Sequence, residues 1–182
     1  MRYKNGDRIA DVELPAITGN TVNTADLRGK RYMLSFFRFA GCPFCNLRMH
    51  ELTKRFKELG DDFTIVAVFD SPLDNLQKYS SQHQAPFHVL ADEKNIYYRQ
   101  YDIRQSFIGL LRGAVTRLPA VLYAVVVKRY LPLAIKGKLA TMPADFLVDE
   151  QGVIQRAHYA HDPGDHISFE DLKLFAQSGR VG

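Results

Sequence analysis

The chain has two cysteines, Cys42 and Cys45, and both lie in one Cys-x-x-Cys sequence. Two thiols at this spacing can close a disulfide, contribute to a metal site or stay inert as buried thiols. A structural zinc ion normally takes four ligands, and the sequence offers no second pair of cysteines to complete them. The pair therefore favours thiol redox chemistry, for which we expect no metal and no cofactor, over zinc binding or a structural role.

The position of Cys42 predicts a reactive sulfur. Residues 31–39 have the aromatic and aliphatic character of a strand, and a helix is predicted over about residues 43–59. Cys42 then takes the N-cap position and Pro43 the first helical position, where free N–H groups and the helix dipole stabilise a thiolate. Lowering a thiol pKa from about 8.5 to about 6.5 raises the thiolate fraction at pH 7 from roughly 3% to roughly 75%. We expect Cys42, with solvent access at the helix tip, to be the attacking sulfur.

The helix pattern gives Cys45 a different role. Apolar residues recur along one face of the predicted helix at Cys45, Met49, Leu52, Phe56 and Leu59. Because this face must pack against the core, Cys45 is predicted to be buried. A buried thiol one turn from Cys42 can resolve a mixed disulfide or a sulfenic acid by closing an intramolecular disulfide.

Strand-like and helix-like segments alternate along the rest of the chain, which indicates an α/β fold. After an N-terminal hairpin and a short helix within residues 6–30, the predicted order is β-α-β-α-β-(α)-β-β-α. Residues 63–69 form a continuous apolar run, as expected of a strand that is buried on both faces of a sheet. A tight turn at 149–152 joins the last two strands, and a helix capped by Ser168 follows.

Length and composition limit the possible classes of protein. The 182 residues are 46% hydrophobic, 24% charged and 12% aromatic, which excludes collagen-like, coiled-coil, disulfide-rich and disordered chains. We expect a single domain over residues 1–182. The first ten residues have no apolar stretch of the kind that marks a signal peptide, so the expected compartment is the cytoplasm.

Positive charge is concentrated in residues 103–142, which interrupt the predicted fold as an insertion. This segment holds seven Lys and Arg and no Asp or Glu, whereas the rest of the chain carries 17 basic and 20 acidic residues. Its apolar runs, 107–111 and 118–127, are each shorter than the about 20 residues that cross a bilayer. We expect the insertion to cover the cysteines, to form a homodimer or to bind an anionic membrane, with the first two favoured. Nucleic acid is not expected as a partner, because the body is acidic and carries no reading motif.

Several motifs together resemble the thioredoxin superfamily and, within it, the AhpC/TSA peroxiredoxin-like proteins. They are Gly6-Asp7, Leu14, Gly19 and Leu27-Arg28-Gly29-Lys30 ahead of the 31–39 strand, the turn Gly41-Cys42-Pro43-Phe44-Cys45, and Pro143 just before the 145–148 strand. The resemblance implies a thioredoxin-like fold, with a central mixed sheet flanked by helices, an N-terminal hairpin and a helical insertion before the strand that follows Pro143. It also implies that Gly41, Pro43 and Phe44 support the active site and that the peptide bond before Pro143 is cis.

The chain departs from the pattern of true peroxiredoxins, which place Pro and Thr seven and three residues before the reactive cysteine. Here these positions are Ser35 and Phe39, so the threonine hydroxyl that orients a peroxide is absent. Many members also carry an arginine where this chain has Pro143. Arg38 could supply the missing positive charge or, as a side chain on a core strand, point outward without a role.

The resemblance supports two enzymatic hypotheses. A third hypothesis, of a different class, is that the protein is not an enzyme. In the first, a peroxiredoxin-like antioxidant oxidoreductase, Cys42 attacks a peroxide or a disulfide, Cys45 resolves, and an external thiol donor of the thioredoxin, glutaredoxin or glutathione type restores the dithiol. In the second, the chain is a thioredoxin-like disulfide reductase without peroxidase activity. In the third, it is a non-catalytic membrane- or partner-binding protein that keeps the cysteines as a redox switch.

Topology places a group of histidines near the cysteines. The predicted hairpin returns the chain to the end of the sheet where the strand after Pro143 begins, which brings His158, His161 and His166 within reach of Cys42. A histidine there could accept a proton from a thiol or pair with the thiolate. Solvated loop residues that cap the last helix are the more conservative interpretation.

Overall fold

The computed structural model describes residues 2–80, 84–128, 130 and 137–182. Its strands are β1 (Glu13–Pro15), β2 (Thr21–Asn23), β3 (Arg31–Phe36), β4 (Phe63–Phe69), β5 (His88–Ala91), β6 (Ala144–Val148) and β7 (Ile154–Tyr159). β1 and β2 form the N-terminal hairpin, and the other five strands form one sheet in the order β5-β4-β3-β6-β7. β3, β4 and β5 run parallel, whereas β6 pairs antiparallel with β3 and β7. The predicted α/β architecture with a central mixed sheet is confirmed.

Helices cover one face of this sheet and share the other with the N-terminal hairpin. The α-helices of the described residues are α1 (Pro43–Arg55), α2 (Leu73–Ser80), α3 (Ile96–Gln100), α4 (Phe107–Thr116), α5 (Leu118–Leu122) and α6 (Phe169–Ser178). Buried residues of α1, α2 and α6 pack on one face, and those of α3 and the hairpin pack on the other. Because both faces are covered, every residue of β4 except Thr64 is buried, which explains its continuous apolar run.

Residues 37–42 connect β3 to α1 and carry the first cysteine. The backbone N–H of Phe37 donates to the carbonyl oxygen of Val68 at the end of β4 (2.7 Å). The Tyr98 hydroxyl of α3 lies 2.6 Å from the carbonyl oxygen of Phe37 and 2.9 Å from that of Val68. The connection is therefore held by two neighbouring elements before it reaches the cysteines.

The segment 103–142 is helical over residues 107–116 and 118–127, in agreement with the expected helical insertion. It contains α4, α5 and a π-helical turn, Tyr123–Val127, that continues α5. An isolated antiparallel bridge between Gln105 and Thr141 joins its two ends. Residues 129 and 131–136 of the predicted insertion lie outside the described residues.

The peptide bond before Pro143 is trans, so the expected cis-proline is wrong. Thr141 pairs with Gln105, and the backbone N–H of Met142 donates to the carbonyl oxygen of Arg104 (3.0 Å). The chain is therefore already extended when it reaches Pro143, and a trans bond continues that path into β6. A trans bond is also the more stable form of an X–Pro peptide by about 0.5–1 kcal/mol.

Candidate active site

Cys42 is the N-cap of α1, as the sequence predicts, with extended backbone angles (φ −68°, ψ 123°) and Pro43 at the first helical position. The backbone N–H of Cys42 donates to the carbonyl oxygen of Phe39 (3.0 Å), and the Cys42 carbonyl oxygen accepts from the Asn46 backbone N–H (3.0 Å). The Asn46 side chain also donates to the carbonyl oxygens of Cys42 and Ala40, at 2.9 Å each. These contacts fix the direction in which the Cys42 side chain leaves the helix.

Cys42 is completely buried (0% exposed), so the expected solvent access at the helix tip is wrong. The sulfur packs into the same apolar cluster as Cys45. The guanidinium of Arg38 lies over it and is held by the carbonyl oxygen of Leu139. A helix terminus is exposed only where no other segment covers it. Here the segment just before β6, which includes Leu139, covers the start of α1 together with Arg38.

Arg38 contacts both sulfur atoms from a buried position (2% exposed). Its Nη1 donates to Cys42 Sγ (3.1 Å), and its Nη2 donates to the carbonyl oxygen of Leu139. Its backbone N–H donates to Cys45 Sγ (3.4 Å). Of the two orientations that the sequence leaves open for Arg38, the structure therefore shows the one directed at the cysteines.

The surroundings of Cys42 lower the pKa of its thiol from the ordinary value of 9.0 to about 6. Burial acts in the opposite direction and raises the pKa, because a thiolate loses its hydration. A hydrogen bond from the Cys45 thiol, the positive charge of Arg38 and the backbone N–H groups of Cys45 and Phe44 outweigh the effect of burial. At pH 7 a thiol with this pKa is about 90% thiolate.

Cys45 has the opposite character. It lies on the core-facing side of α1 with Met49 and Leu52 and is fully buried, as predicted. Burial raises the pKa of its thiol well above 9.0, and the hydrogen bond and negative charge of Cys42 raise it further. The pair therefore consists of a thiolate at Cys42 and a neutral thiol at Cys45 that donates to it.

A buried carboxylate, Asp70, positions the segment that holds Arg38. Asp70 Oδ2 accepts from the backbone N–H of Lys138 (3.0 Å) and from Thr141 Oγ1 (2.9 Å). The carbonyl group of Leu139, which accepts from Arg38, lies between these two anchor points. Sequence reasoning misses Asp70 because it lies 68 residues before Lys138, and nothing local in the sequence connects the two.

The other predicted support residues border the turn that carries Cys42. Gly41 lies against Tyr79, and a Cβ at Gly41 would be 3.0 Å from the Tyr79 hydroxyl. Phe44 is half-buried beside Gly164, where a Cβ would be 3.1 Å from Phe44 Cδ1. Pro143 precedes β6, whose first residue pairs with the last residue of β3. Gly41 and Phe44 thus belong to the turn itself, and Pro143 leads into the strand that is paired with β3.

Asp165, in the loop after β7, binds the side chain of His158 and the backbone of His161. His158 Nε2 lies 3.0 Å from Asp165 Oδ1, and the backbone N–H of His161 donates to Asp165 Oδ2 (2.8 Å). Within the described residues, neither histidine forms a hydrogen bond with a cysteine sulfur. No group of three or more His, Cys, Asp or Glu among those residues could hold a metal ion. A role of His158 or His161 as proton acceptor stays a prediction.

His166 is the histidine that the structure buries near the active-site turn. Its Nδ1 lies 3.1 Å from Asp145 Oδ2, and its ring centroid is 5.3 Å from that of Phe37. Ser35 Oγ donates to Asp145 Oδ1 (2.5 Å). Burial opposes the ionisation of Asp145, but His166, Arg48 and Ser35 together hold the pKa of its carboxyl below the usual range. Ser35 bonds the carboxylate and not the imidazole, so it lacks the adjacent base that a serine nucleophile needs.

Sequence reasoning places His166 in the loop near the cysteines but misses its partners. Ser35 and Asp145 are directly opposite each other on β3 and β6. Two polar residues on strands that are otherwise apolar are a signal, because buried polar groups need partners. The signal identifies the pair only once the register between the two strands is known.

A cleft of about 500 Å³ opens beside the active-site turn. Phe44, the residue between Pro43 and Cys45, forms part of its wall. The wall also includes His166, Arg48 and Arg117, together with Glu51, which is paired with Arg48 (2.7 Å). The cleft therefore brings both charged and apolar side chains next to the residue that separates the two cysteines.

Residues 5–157 match the AhpC/TSA family. Peroxiredoxin Bcp of Bacillus subtilis (strain 168) is 26% identical to this chain over 106 residues. That similarity covers 57% of this chain and 66% of the relative, so the chain spans just under two thirds of that relative's length.

Solved structures share the fold. Peroxidoxin BcpB from Mycobacterium tuberculosis has a TM-score of 0.64 at 16% identity, over 99% of this chain and 100% of that chain. Thiol peroxidase from Chromobacterium violaceum has a TM-score of 0.66 at 13% identity, over 98% and 89%. These likenesses confirm the predicted thioredoxin-like fold. Because the family match covers most of its length, the chain belongs to the AhpC/TSA family.

Proposed function

We propose that the chain is a thiol-dependent antioxidant oxidoreductase in which Cys42 reduces a peroxide and Cys45 resolves the product. The observation that carries this proposal is the contact between the Arg38 guanidinium and the buried Cys42 sulfur, at 3.1 Å. The contact helps to give Cys42 a thiol pKa of about 6, and it places hydrogen-bond donors where a peroxide would approach. Membership of the AhpC/TSA family and the similarity to peroxiredoxin Bcp support the same assignment.

The burial of Cys42 favours a small oxidant. Because Cys42 is 0% exposed, an oxidant can reach its sulfur only after the covering side chains move, and hydrogen peroxide or a small organic hydroperoxide needs a smaller movement than a large oxidant does. The disulfide of a folded protein, in contrast, needs a sulfur at the surface. Arg38 Nε is buried and donates to no described residue, so it remains free to bond a peroxide oxygen. We therefore place peroxides before protein disulfides as substrates.

The chemistry transfers two electrons from the cysteines to the peroxide. The Cys42 thiolate attacks the terminal oxygen, an S–O bond forms while the O–O bond breaks, and the alkoxide or hydroxide that leaves takes a proton from water. The Cys45 thiol then attacks the sulfenic sulfur, and the hydroxyl group leaves as water with the proton of Cys45. An external thiol donor of the thioredoxin, glutaredoxin or glutathione type reduces the disulfide and restores the pair.

Arg38 takes the part of the absent threonine in this proposal. Phe39 stands three residues before Cys42, where true peroxiredoxins carry the hydroxyl that orients the peroxide. A guanidinium offers several N–H donors in a fixed geometry together with a positive charge. It can stabilise the thiolate before the reaction and the oxygen that becomes negative as the O–O bond breaks.

The Cys-x-x-Cys arrangement itself favours a second candidate, a disulfide reductase of the thioredoxin type. Cys45 lies one turn from Cys42, and its thiol already donates to the Cys42 sulfur. An intramolecular disulfide can therefore form with little movement, whichever oxidant reacts first. A third candidate keeps the same pair as a redox switch in a protein that binds a membrane or another partner and catalyses nothing.

Peroxide consumption coupled to a dithiol tests the proposal. Wild type, Cys42→Ser and Cys45→Ser are compared with hydrogen peroxide and with cumene hydroperoxide. We expect turnover by the wild type, loss of the reaction in Cys42→Ser, and consumption of about one peroxide per chain in Cys45→Ser. Equally slow removal of peroxide by wild type and Cys42→Ser would exclude a peroxidase.

Reduction of insulin disulfides separates the remaining candidates. Insulin reduction that depends on Cys42, without peroxide turnover, would assign the chain to the disulfide reductases. Absence of both activities, with a reversible disulfide between Cys42 and Cys45, would favour the redox switch.

A further inference from the structure

Helix α4 packs on the rest of the protein through its glycines. Gly109 and Gly113, one turn apart, are the buried residues of this helix. A Cβ at Gly109 would lie 2.8 Å from the carbonyl oxygen of His161, and a Cβ at Gly113 would lie 2.5 Å from Cδ of Pro163. This close approach requires residues without side chains, so the glycine face is held toward the loop that follows β7.

The opposite face of α4 presents large apolar side chains to solvent. Phe107, Ile108, Leu111 and Val115 fall within about 100° of the helix circumference, and each is between 68% and 84% exposed. Helices of globular domains normally turn such a face toward the core. Leu118 and Leu122 of α5, the helix that follows, are also about half exposed. We call these six side chains the apolar surface.

Positive charge accompanies the apolar surface. The segment 103–142 has seven Lys and Arg and no Asp or Glu. Arg104, which precedes α4, and Arg112, which adjoins its apolar face, are both exposed. Because the rest of the chain is net acidic, an anionic surface would attract this segment and repel the body, which would orient the protein with the apolar surface inward.

The dimensions of the helices fit a position in the plane of a membrane surface. Among the described residues, no single helix is long and apolar enough to cross a bilayer. Phe107–Thr116 and Leu118–Val127 reach the necessary length and composition only as a pair that is bent by 78°. An amphipathic helix with basic flanks can lie at the interface with its apolar side chains buried by about 5–10 Å.

We propose that the apolar surface is a peripheral docking site for membranes that contain anionic phospholipids. Its side chains enter the boundary between headgroups and acyl chains, while Arg104 and Arg112 contact lipid phosphates. The competing occupant is a second copy of the chain, as in the predicted homodimer through 103–142. A symmetric dimer would bring two copies of the same net-basic segment together, although Arg117 is already paired with Asp162 (2.7 Å), whereas anionic headgroups supply the opposite charge to the exposed Arg104 and Arg112. The proposal does not depend on the activity of the cysteines.

Co-sedimentation with vesicles tests the proposal. Vesicles of phosphatidylcholine alone are compared with vesicles that contain about 30% phosphatidylglycerol, at about 0.1 M salt. The test variant Ile108→Ser/Leu111→Ser removes two apolar side chains from the surface. The matched control Ile96→Ser/Leu174→Ser removes two that are exposed on α3 and α6, at 49% and 43%.

We expect the wild type and the control to bind the anionic vesicles and the test variant to bind at least about tenfold more weakly. A second variant, Arg104→Gln/Arg112→Gln, should weaken binding to the anionic vesicles by about fivefold per charge. Raising the salt to about 0.5 M should weaken wild-type binding in the same way, because it screens the attraction to the headgroups.

Failure of the wild type to bind anionic vesicles at low salt would overturn the proposal, and so would equal binding by wild type and Ile108→Ser/Leu111→Ser. Sedimentation without vesicles tests the second copy as occupant. A wild-type dimer that becomes monomeric in Ile108→Ser/Leu111→Ser would assign the surface to a homodimer and overturn the membrane proposal. If wild type and Ile108→Ser/Leu111→Ser are both monomeric, the result supports the membrane as the occupant of the apolar surface.

Discussion

Replacing Arg38 by methionine should raise the pKa of the Cys42 thiol. Arg38 Nη1 lies 3.1 Å from Cys42 Sγ, and both side chains are buried, so water screens their interaction little. Methionine is a flexible apolar side chain that can fill much of the space, but it has neither the charge nor the donors. The Cys45 thiol and the first amides of α1 stay in place. The variant therefore removes one stabilising partner of the thiolate and leaves the others.

The size of the effect follows from the strength of a hydrogen bond that involves a charged group. Such a bond contributes about 1.5–3 kcal/mol, and one pKa unit corresponds to about 1.36 kcal/mol, so the pKa should rise by about 1–2 units. A bare Coulomb estimate at 3.1 Å with an effective dielectric constant of about 20 gives about 5 kcal/mol, which is an upper bound. From about 6, the pKa of Cys42 should therefore reach about 7–8. The thiolate fraction at pH 7 would fall from about 90% to about 10–50%.

The ultraviolet absorbance of the thiolate, followed against pH in the reduced protein, measures this pKa directly. The raised pKa of Cys45 makes Cys42 the first of two macroscopic steps. A rate of alkylation at one pH is a poorer readout, because a thiolate becomes more nucleophilic as its pKa rises and offsets part of the lost population. Circular dichroism verifies that each variant is folded.

Two further variants make the test specific. Arg48→Met removes another buried arginine, one that bonds the carbonyl oxygen of Ile167 and not a sulfur, and should leave the first pKa at about 6. Arg38→Lys keeps the charge and should raise the pKa less than Arg38→Met does. An unchanged first pKa in folded Arg38→Met, or an equal rise in Arg48→Met, would refute the assigned role of Arg38.

Other expected outcomes concern resolution, stability and packing. Trapping with dimedone should label a sulfenic acid at Cys42 in Cys45→Ser after one equivalent of peroxide; no label would contradict resolution by Cys45. Because the folded pKa of Cys42 is depressed, the reduced protein should gain about 3 kcal/mol between pH 6 and pH 9 relative to Cys42→Ser; parallel curves by denaturant titration would contradict this. Gly113→Ala should cost about 1–3 kcal/mol despite the better helix propensity of Ala, because its Cβ would meet Pro163; higher thermal stability would contradict the packing of α4. In the disulfide form the Lys138 amide should exchange its hydrogen faster than in the reduced form, because loss of the Cys42 charge should release Arg38 from the neighbouring Leu139 carbonyl; equal protection in the two forms would contradict this.

The structural features that depend on residues close together in the sequence could be predicted from the sequence alone. Pro43 at the first helical position and the apolar stripe of the helix were sufficient to place Cys42 at the N-cap and Cys45 in the core, and the structure confirms both. The alternation of strands and helices was likewise sufficient for the α/β fold. These features depend on backbone preferences and on periodicity over one or two helical turns, which a single sequence displays.

Features that depend on distant segments could not be predicted. The burial of Cys42 results from Arg38, which is held by Leu139, and these two residues are 101 positions apart. The pairing of His166 with Asp145 depends on how the loop after β7 returns to β6, although both residues are visible in the sequence. Which side chain covers which is decided by tertiary packing, and no local pattern encodes it.

The charge balance between Arg38 and Cys42 differs between the reduced form and the disulfide form. In the reduced protein the buried guanidinium of Arg38 faces a thiolate, and the two charges compensate each other. Formation of the disulfide between Cys42 and Cys45 removes the negative charge, and the loss of the anionic partner of a buried cation costs about 3–5 kcal/mol. We therefore expect the Arg38 side chain to move out of the core in the disulfide form. Its movement would free the carbonyl group of Leu139 and weaken the packing of the segment before β6 over the Cys42 sulfur. The site would thus admit only small oxidants while reduced and open toward a larger thiol donor once oxidised, because the same electrostatic contact controls both states.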